Sequence, residues 1–534
     1  MSKTPIIEVY DLALKPPTQI VEPSDLPSLS VDDLQRTQVP AATTGAKSRR
    51  LGFVIACIIT ANVVQMISNI LSIAGGFVIS KALGVDPGPG KANWTAASYQ
   101  LTQGTFILAS GRFGAVYGHR NMVLLGGAWL TLWSLINGFC DNFIAFNVVR
   151  AISGIGGALI MPNTVAMIGI ACPPGKLRNL SLGFFGASNP IAGGLGSIFT
   201  GAVLHFTSWK WIFIIMAIIG AVTYGILWFL VPPEHPVDPH GDIDWIGAAL
   251  GSSGLIIFNV AWNQSPAVGW SNPYEIALLI LSITLILVFL LWEAKYATTP
   301  IIPLEIWKAP SFLPLTLVVL FSFMSFGILL WYMIAWQQIL RHWSVLLFGI
   351  GWIPFSLFGA IGACLAGWLI PRLAAQWILA IGLGTVIVSH ILIATMPDQQ
   401  TYWAQVFPAT IIMAFCPDFV YTAAQIIASN AVRRSQQGTA ASLIGLLLLY
   451  GNSLGLGFAG TVEVQINKTS TDVTEGYRGA LYFGAALAGL AMIFNLLWVR
   501  MVKDEREGWQ HPDDIDIDCG VPSSGTSNVG DDRV

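Results

Sequence analysis

Long apolar runs recur along this chain, and they limit what it can fold into. From Leu51 to about Arg500, segments of roughly twenty residues with few charges follow one another. Each is long enough to cross the ~30 Å hydrocarbon core of a bilayer as a helix. Only 10% of the residues are charged, against about a quarter in soluble domains. Because so little polar surface is available to cover these runs in water, the sequence predicts an all-α integral membrane protein.

Fourteen spans follow from the apolar runs. Their predicted bounds are 51–79, 94–116, 122–139, 143–170, 179–204, 209–231, 244–262, 275–293, 312–335, 343–370, 376–396, 402–429, 437–462 and 478–501. Residues 1–46, rich in Pro, Ser, Thr and Asp, are predicted to be a disordered cytoplasmic tail. Residues 503–534 are predicted to be an acidic cytoplasmic tail.

The distribution of basic residues predicts the orientation. With the N-terminus in the cytoplasm, most of the Lys and Arg residues outside the spans fall in cytoplasmic loops, as the positive-inside rule requires. Both termini are therefore predicted to be cytoplasmic, in a multi-pass protein of the plasma membrane rather than the vacuole. Three Asn-X-Ser/Thr triplets, at Asn93, Asn263 and Asn467, fall outside in this topology and are candidate glycosylation sites.

An internal repeat is suggested around two basic turns. Gly111 precedes Gly126 by fifteen residues, and Gly367 precedes Gly382 by the same interval. Two related halves of six spans, with two further spans between them, would account for fourteen, and internal repeats of this kind build many secondary transporters. The predicted domains are a six-helix bundle over 47–231, a linker with two extra transmembrane helices over 232–300 and a second six-helix bundle over 301–502.

Several motifs together resemble the major facilitator superfamily, specifically its fourteen-span drug:proton antiporter branch as found in fungi. The stretch GRFGAVYGHR, beginning at Gly111, is similar to the superfamily's loop motif G-x-x-x-D-R-x-G-R-R between spans 2 and 3. RAISGIGGALIMPN resembles the span-4 motif, and GASNPIAGG resembles the span-5 antiporter motif that ends P-x-x-G-G. DIDWIGAALGSSGLIIFNVAWNQ resembles the seventh span peculiar to this branch. The resemblance covers about residues 50–500.

The two motifs supply the candidate residues for conformational change. In the loop they are Gly111, Arg112, Gly118 and Arg120, and in span 5 they are Gly186, Pro190, Gly193 and Gly194. The glycines permit close helix packing, and the resemblance implies that span 5 meets span 10 between the two halves. Ala115 departs from the loop pattern, since the family's aspartate, implied to form a charge network that locks one conformation, is absent. We therefore expect a hinge without the usual charged latch.

Two ionisable residues, Arg150 and Asp418, lie well inside predicted spans. Such residues cost roughly 2.5–3.5 kcal/mol on insertion scales and usually face a cavity. The resemblance implies that spans 1, 4, 9 and 12 line a central cavity, which includes both residues. We predict that Asp418 carries the coupled proton and that Arg150 modulates it or binds an anionic part of the substrate. Two alternatives stay open: Asp418 is held by a hydroxyl or by Arg150 and only positions helices, or His390 in span 11 is the relay.

Polar and aromatic side chains on the same spans are candidates for lining the cavity. In span 1 the polar residues are spaced i, i+3 and i+7, and in span 12 they share a helical face with Asp418. The predicted cavity residues are Asn62, Gln65, Asn69, Trp331, Tyr332, Trp336, Tyr421, Thr422 and Gln425. Aromatic walls with few polar groups suit an amphipathic organic ligand, although individual aromatics can equally serve packing or the membrane interface.

These observations predict a secondary active transporter that exports small amphipathic organic compounds, such as drugs, toxins or secondary metabolites, in exchange for protons by alternating access. No G-x-x-x-x-G-K-[ST] loop occurs in the sequence, and His390 stands in its span without an Asp or Glu that could complete a catalytic group, so neither ATP use nor an enzyme is expected. We expect no cofactor, no metal and no nucleic-acid partner. The expected partners are a small-molecule substrate, protons and the lipid bilayer, and the expected state is a monomer.

Two alternatives stay open, because the acidic residues usual in the family are missing at Ala115 and in span 1. One is an uptake carrier or facilitator for a small nutrient or ion such as ammonium. The other is a non-transporting sensor on the same fold.

Overall fold

The structure is a computed structural model, and it describes residues 44–85, 88–172, 176–432, 436–470 and 472–501. The predictions for the two tails lie outside these residues, apart from the start of the first helix at Thr44. All the packing considered below lies in the unit that begins at Phe53.

The described residues form fourteen long helical segments, two of them interrupted, which are numbered here in chain order. They are α1 (Thr44–Ala74), α2 (Trp94–Tyr117), α3 (His119–Asn137), α4 (Phe143–Ala171), α5 (Lys176–Phe206), α6 (Lys210–Leu230), α7 (Trp245–Val268), α8 (Pro273–Lys295), α9 (Phe312–Ala335), α10a and α10b (Val345–Gly351 and Ile353–Leu369), α11 (Ala375–Ala394), α12a and α12b (Val406–Met413 and Phe415–Ala431), α13 (Gln437–Asn467) and α14 (Val473–Trp498). Short helices cover Gly76–Ala82, Pro89–Ala92, Leu304–Lys308 and Trp336–Leu340. The part of the chain that the structure describes contains no β-strand.

Eleven helices within the described ranges are long and apolar enough to cross a membrane. The remaining three long helices, α2, α3 and α5, have 24, 19 and 31 residues but are less apolar. In α2 the reason is visible, because Ser98, Thr102 and Gln103 are buried against other helices rather than turned outward. The helices therefore confirm an all-α multi-span protein, while the number of fourteen spans stays a prediction.

Prolines explain two interruptions that the predicted spans do not contain. Span 12 divides at Ala414, and span 10 divides at Trp352. A proline ring clashes with the carbonyl group four residues earlier and removes one helical hydrogen bond. Pro417 and Pro354 each follow the end of the preceding helical segment by three or four residues, which is where this clash acts.

Span 1 is also shorter than predicted, because α1 ends at Ala74 and a separate short helix begins at Gly76. The ring of Trp331 lies so close to Gly76 that no Cβ could be accommodated there. At the other end of the chain, α13 continues to Asn467, five residues beyond its predicted end. This extension places Glu463 inside a helix rather than in a loop.

Among the described residues, helix packing joins the first part of the chain to the last along two helix–helix interfaces, called seams here. In one seam α2 packs along α13, and in the other α5 packs along α10a and α10b. The contact between span 5 and span 10 implied by the resemblance is therefore present. Gly201 and Gly349 lie in this second seam, where a Cβ on either would overlap the backbone of the facing helix.

Candidate functional site

Arg150 is fully buried in α4 and is held by α1. Its guanidinium donates to the Ser68 carbonyl at 2.7 Å and to the Ser72 hydroxyl at 3.1 Å. It also lies over the ring of Tyr99, 4.6 Å from the centroid, and 5.5 Å from that of Phe213. Cation–π contacts of this kind are favourable when the cation is desolvated. No acidic residue pairs with Arg150 among the described residues, so the structure places it as a connection between α1 and α4.

The predicted polar row of α1 is buried and partly bonded. The amide of Asn62 donates to the Ser188 hydroxyl at 3.2 Å, and the amide of Gln65 donates to the Tyr99 hydroxyl at 3.3 Å. The side-chain oxygens of Asn62, Gln65 and Asn69 have no hydrogen-bond partner within the described part of the chain. A buried acceptor without a partner is costly, and the contribution of this row to a substrate cavity stays a prediction.

Gln103 on α2 was not among the residues expected from the sequence. It is fully buried, and neither its side-chain oxygen nor its side-chain nitrogen has a partner among the described residues. It lies one turn after Tyr99, the residue that Gln65 contacts. Its burial without a partner makes it a further candidate, and only the tertiary packing reveals it.

Asp418 lies on the one polar face of α12b. Asp418, Tyr421, Thr422 and Gln425 are all half-buried, whereas Phe419, Val420, Ala423 and Ala424 on the other sides of the helix are fully buried. No hydrogen bond or ion pair to the Asp418 carboxylate is found in the described ranges, and Arg150 bonds elsewhere. Within these ranges neither Arg150 nor a hydroxyl bonds to Asp418, and the role of this carboxylate stays a prediction. The amide of Gln425 donates to the Ala441 carbonyl of α13 at 3.0 Å.

The three predicted aromatic residues near the end of α9 are buried in helix packing. Trp331 stacks on Phe77 with centroids 4.4 Å apart, and Trp336 lies edge-on to Tyr477. The hydroxyl of Tyr332 donates to the Glu463 carboxylate at 2.7 Å. Glu463 is a buried acid that sequence analysis missed because the predicted end of span 13 fell before it.

His390 lies fully buried between α9, α11 and α14. Its Nε2 is 2.9 Å from the Ser325 hydroxyl, and its ring fills the space beside Gly484. This environment is that of a histidine that packs helices together. Its use as a proton relay remains an untested alternative.

The loop between α2 and α3 is bonded to the segment between α6 and α7. Arg112 forms an ion pair with Asp238 at 2.9 Å, and the Ala115 carbonyl accepts from the backbone nitrogen of Asp238 at 3.0 Å. Arg120 donates from its backbone nitrogen to the Glu234 carboxylate at 2.8 Å and from its side chain to the Val231 carbonyl at 2.7 Å.

The glycines of the loop motif have clear steric roles. Gly118 has φ of 93°, a left-handed conformation that favours glycine. Gly111 faces the Ser442 hydroxyl of α13, where a Cβ would come within 3.2 Å.

The span-5 motif residues differ in their surroundings. Gly194 faces Ser356 of α10b too closely for a Cβ, and Pro190 lies against Gly359 of the same helix. Gly186 has open space around it, and Gly193 is in ordinary contact distance of Phe355. The motif therefore provides close packing at its Pro190–Gly194 end but not at Gly186.

Two of the three candidate glycosylation sites are corrected by the structure. Asn93 and Asn263 are 1% and 0% exposed, and the Asn93 amide donates to the Asn263 side-chain oxygen at 3.2 Å. A glycan cannot be attached to an amide buried in this contact. Asn467 is half-buried at the end of α13 and remains a prediction.

The helices form a polytopic bundle with two seams, and its buried polar interior is only partly hydrogen-bonded. These are features of a membrane transporter. Comparison with known proteins identifies the family. The model described as Major Facilitator Superfamily matches residues 53–456 and again residues 315–516. The chain belongs to the Major Facilitator Superfamily. It is therefore a multi-pass membrane transporter of small molecules rather than an enzyme, which confirms the resemblance seen in the sequence motifs.

Members of the Major Facilitator Superfamily from fungi are similar over most of their length. The chain is 34% identical to the low affinity ammonium transporter of Saccharomyces cerevisiae, over 78% of this chain and 83% of that protein. It is 33% identical to the aminotriazole resistance protein of the same yeast, over 85% and 86%. It is also 33% identical to the efflux pump terJ of Aspergillus terreus, over 79% and 82%.

A solved structure shows the same fold at low sequence identity. It is a bacterial homologue of the human lysosomal transporter Spinster, in an inward-facing and occupied conformation. The TM-score is 0.59 at 16% identity, and the match covers 86% of this chain and 98% of that one. At this identity the likeness concerns the fold alone.

Proposed function

We propose that this transporter exports small amphipathic organic compounds in exchange for protons. Alternating access would occur between two six-helix bundles, 47–231 and 301–502, with α7 and α8 as two additional spans and both termini in the cytoplasm. The proposed setting is a monomer in the plasma membrane. The similarity to an efflux pump and to a resistance protein supports the outward direction.

The half-buried carboxylate of Asp418 is the observation that carries the proposal. An ionisable residue within a span is a functional candidate by default, and this one lies on a polar helix face without a bonding partner among the described residues. A carboxyl group placed so that its surroundings change with the conformation can take up a proton on one side and release it on the other. Tyr421, Thr422 and Gln425 on the same face would contact the substrate.

The interface between α5 and α10 is tightly packed at one end and open at the other. Gly194 and Gly201 are in close contact with α10, whereas Gly183 and Gly186 have nothing within 4 Å. With the N-terminus in the cytoplasm, the close contacts lie on the outer side and the open space on the inner side. We therefore propose that this conformation is closed to the outside.

Reconstituted vesicles test the proposal. Full-length protein in liposomes with an imposed pH gradient should drive 3-aminotriazole flux, and Asp418→Asn should abolish the dependence on the gradient. Asp141→Asn, at an exposed carboxylate paired with Lys210, is the matched control and should behave as the wild type. Gradient-driven flux that survives in Asp418→Asn would contradict the assignment of the proton to this residue.

A facilitator for ammonium is the second candidate. It is favoured by the similarity to the low affinity ammonium transporter, and by the absence of an acidic residue at Ala115. Methylammonium in the same vesicles separates the two functions. Uptake down its own gradient that is indifferent to pH and to Asp418→Asn would favour the facilitator and reject coupled export.

A further inference from the structure

We infer that α7 stabilises the seam between α2 and α13. In this inference Asn259 and Asn263 are positioning residues that hold these helices together until the conformational change. The inference rests on the proposed alternating access, because it concerns a seam that has to change when the two bundles move. It assigns a role to a helix that the predicted domains treat only as part of a linker.

The helix α7 lies along both members of the seam. Its first residue, Trp245, stacks on Phe113 near the end of α2 with centroids 5.3 Å apart, while Asn263 near its own end meets Asn93 just before α2 begins. It is therefore antiparallel to α2. The helices α7 and α13 are parallel. The Tyr450 hydroxyl of α13 donates to the Leu255 carbonyl of α7 at 2.9 Å, and further along both helices Trp262 stacks on Phe458 with centroids 3.6 Å apart.

A buried polar network ties the three helices together. The Asn263 amide donates to the Asn259 side-chain oxygen at 2.7 Å and to the Ser453 carbonyl of α13 at 3.1 Å. The Ser453 hydroxyl is 3.0 Å from the Asn259 side-chain oxygen and 3.1 Å from the Ala97 carbonyl of α2. The Asn93 amide donates to the Asn263 side-chain oxygen at 3.2 Å. All four polar side chains are essentially inaccessible to solvent.

Small residues on α13 allow this approach. A Cβ on Gly457 would overlap the backbone of Trp262, and a Cβ on Gly460 would overlap Pro266. Such close backbone contact is how helices associate within membranes, where no hydrophobic driving force acts between them. Because the network lies in this tight contact, water cannot replace a bond that breaks there.

Moving α2 away from α13 therefore costs free energy, and the hydrogen bonds made by α7 contribute to this cost. The Ser453–Ala97 bond crosses the seam directly, and α7 is bonded to both sides through Asn93 and Ser453. Separation at this end must break the crossing bond and release α7 from one partner. The network thus stabilises the closed form of the seam relative to the open form.

Spin-label distances test this in the full-length protein without any substrate. The native cysteines are replaced by serine, and labels are placed at Val78 and Val473, two exposed residues beside the same end of the bundle. Asn263→Leu removes every bond of that amide at similar volume. We expect the ratio of long-distance to short-distance populations to rise about tenfold, equivalent to about 1.4 kcal/mol.

Ser253→Ala is the matched control on the same helix, because the Ser253 hydroxyl donates to the Leu250 carbonyl of its own turn, and its distances should equal those of the wild type. Ser453→Ala is a milder second variant, should Asn263→Leu fold poorly, and should shift the ratio in the same direction. Distances in Asn263→Leu and Ser453→Ala identical to those of Ser253→Ala would overturn the inference. Shifted distances without gradient-driven flux in the wild type would instead reject the proposed function alone.

Discussion

The guanidinium of Arg112 lies 2.9 Å from the carboxylate of Asp238, although 126 residues separate them in the chain. The last turns of α2 have Ala115 where the family motif has an aspartate, and the segment between α6 and α7 brings carboxylates to the same place. Asp238 pairs with Arg112, and Glu234 accepts from the first turn of α3. Acids near a helix N-terminus are favourable there because of the helix dipole. Carboxylates from a distant part of the chain therefore contact this motif, one in an ion pair with Arg112 and one through the backbone nitrogen of Arg120.

Removing this ion pair should have a small effect that a second substitution reverses. Both side chains are about two-fifths exposed, so Asp238→Asn should lower stability by at most about 1 kcal/mol. Ala115→Asp in that background places a carboxylate three residues after Arg112 on the same helix face and should recover the loss. Thermal unfolding in detergent at low salt measures both changes. A double variant no more stable than Asp238→Asn would show that Arg112 needs its partner from the distant segment.

Alanine substitutions at two glycines of α5 should have different effects on stability. At Gly201 a Cβ would overlap the Leu346 backbone, and at Gly186 nothing lies within 4 Å. Overpacking of this kind typically costs about 1–3 kcal/mol, so Gly201→Ala should destabilise the protein and weaken the α5–α10 seam. Gly186→Ala should leave the unfolding temperature unchanged or slightly higher. Equal behaviour of the two variants would mean that the seam is not closely packed at Gly201.

Replacing Arg150 by lysine should not be conservative. Lysine cannot reproduce the forked donation to Ser68 and Ser72 while stacking on Tyr99. Arg150→Lys should therefore lower the free energy of unfolding by about 1–3 kcal/mol and reduce transport. Arg372→Lys, at an exposed arginine bonded to the Trp368 carbonyl, is the control. If both variants unfold at the wild-type temperature, the connection between α1 and α4 does not depend on the guanidinium.

Glycosidase treatment of protein expressed in yeast should report Asn467 alone. Any shift in electrophoretic mobility should disappear in Asn467→Gln and persist in Asn93→Gln and Asn263→Gln, because the last two amides are buried against each other. A shift that remains in Asn467→Gln and disappears in Asn93→Gln would contradict the packing of α7 against the start of α2.

The helices and the family were largely predictable from the sequence, because apolar length and the glycine-rich motifs are local features. The interruption of span 12 also has a local cause in the sequence, namely Pro417. Other features depend on distant partners. Gln103 looks like any polar residue in a helix until the packing shows that it is buried without a hydrogen-bond partner among the described residues. Glu463 looked like a loop residue, since its burial depends on Tyr332 of another helix. The Asn93 and Asn263 triplets matched a glycosylation pattern that says nothing about burial.

The bonding of α7 has a consequence for attempts to shorten this protein. Excising 232–300 would seem a simple route to a twelve-helix version. It would leave the Asn93 amide without its partners and uncover the flank of α13 around Ser453, in surroundings where lipid tails can accept no hydrogen bond. It would also remove the carboxylates that hold Arg112 and Arg120. A trimmed chain would therefore need new apolar residues on α2 and α13, and a new acid beside the loop, before it could fold.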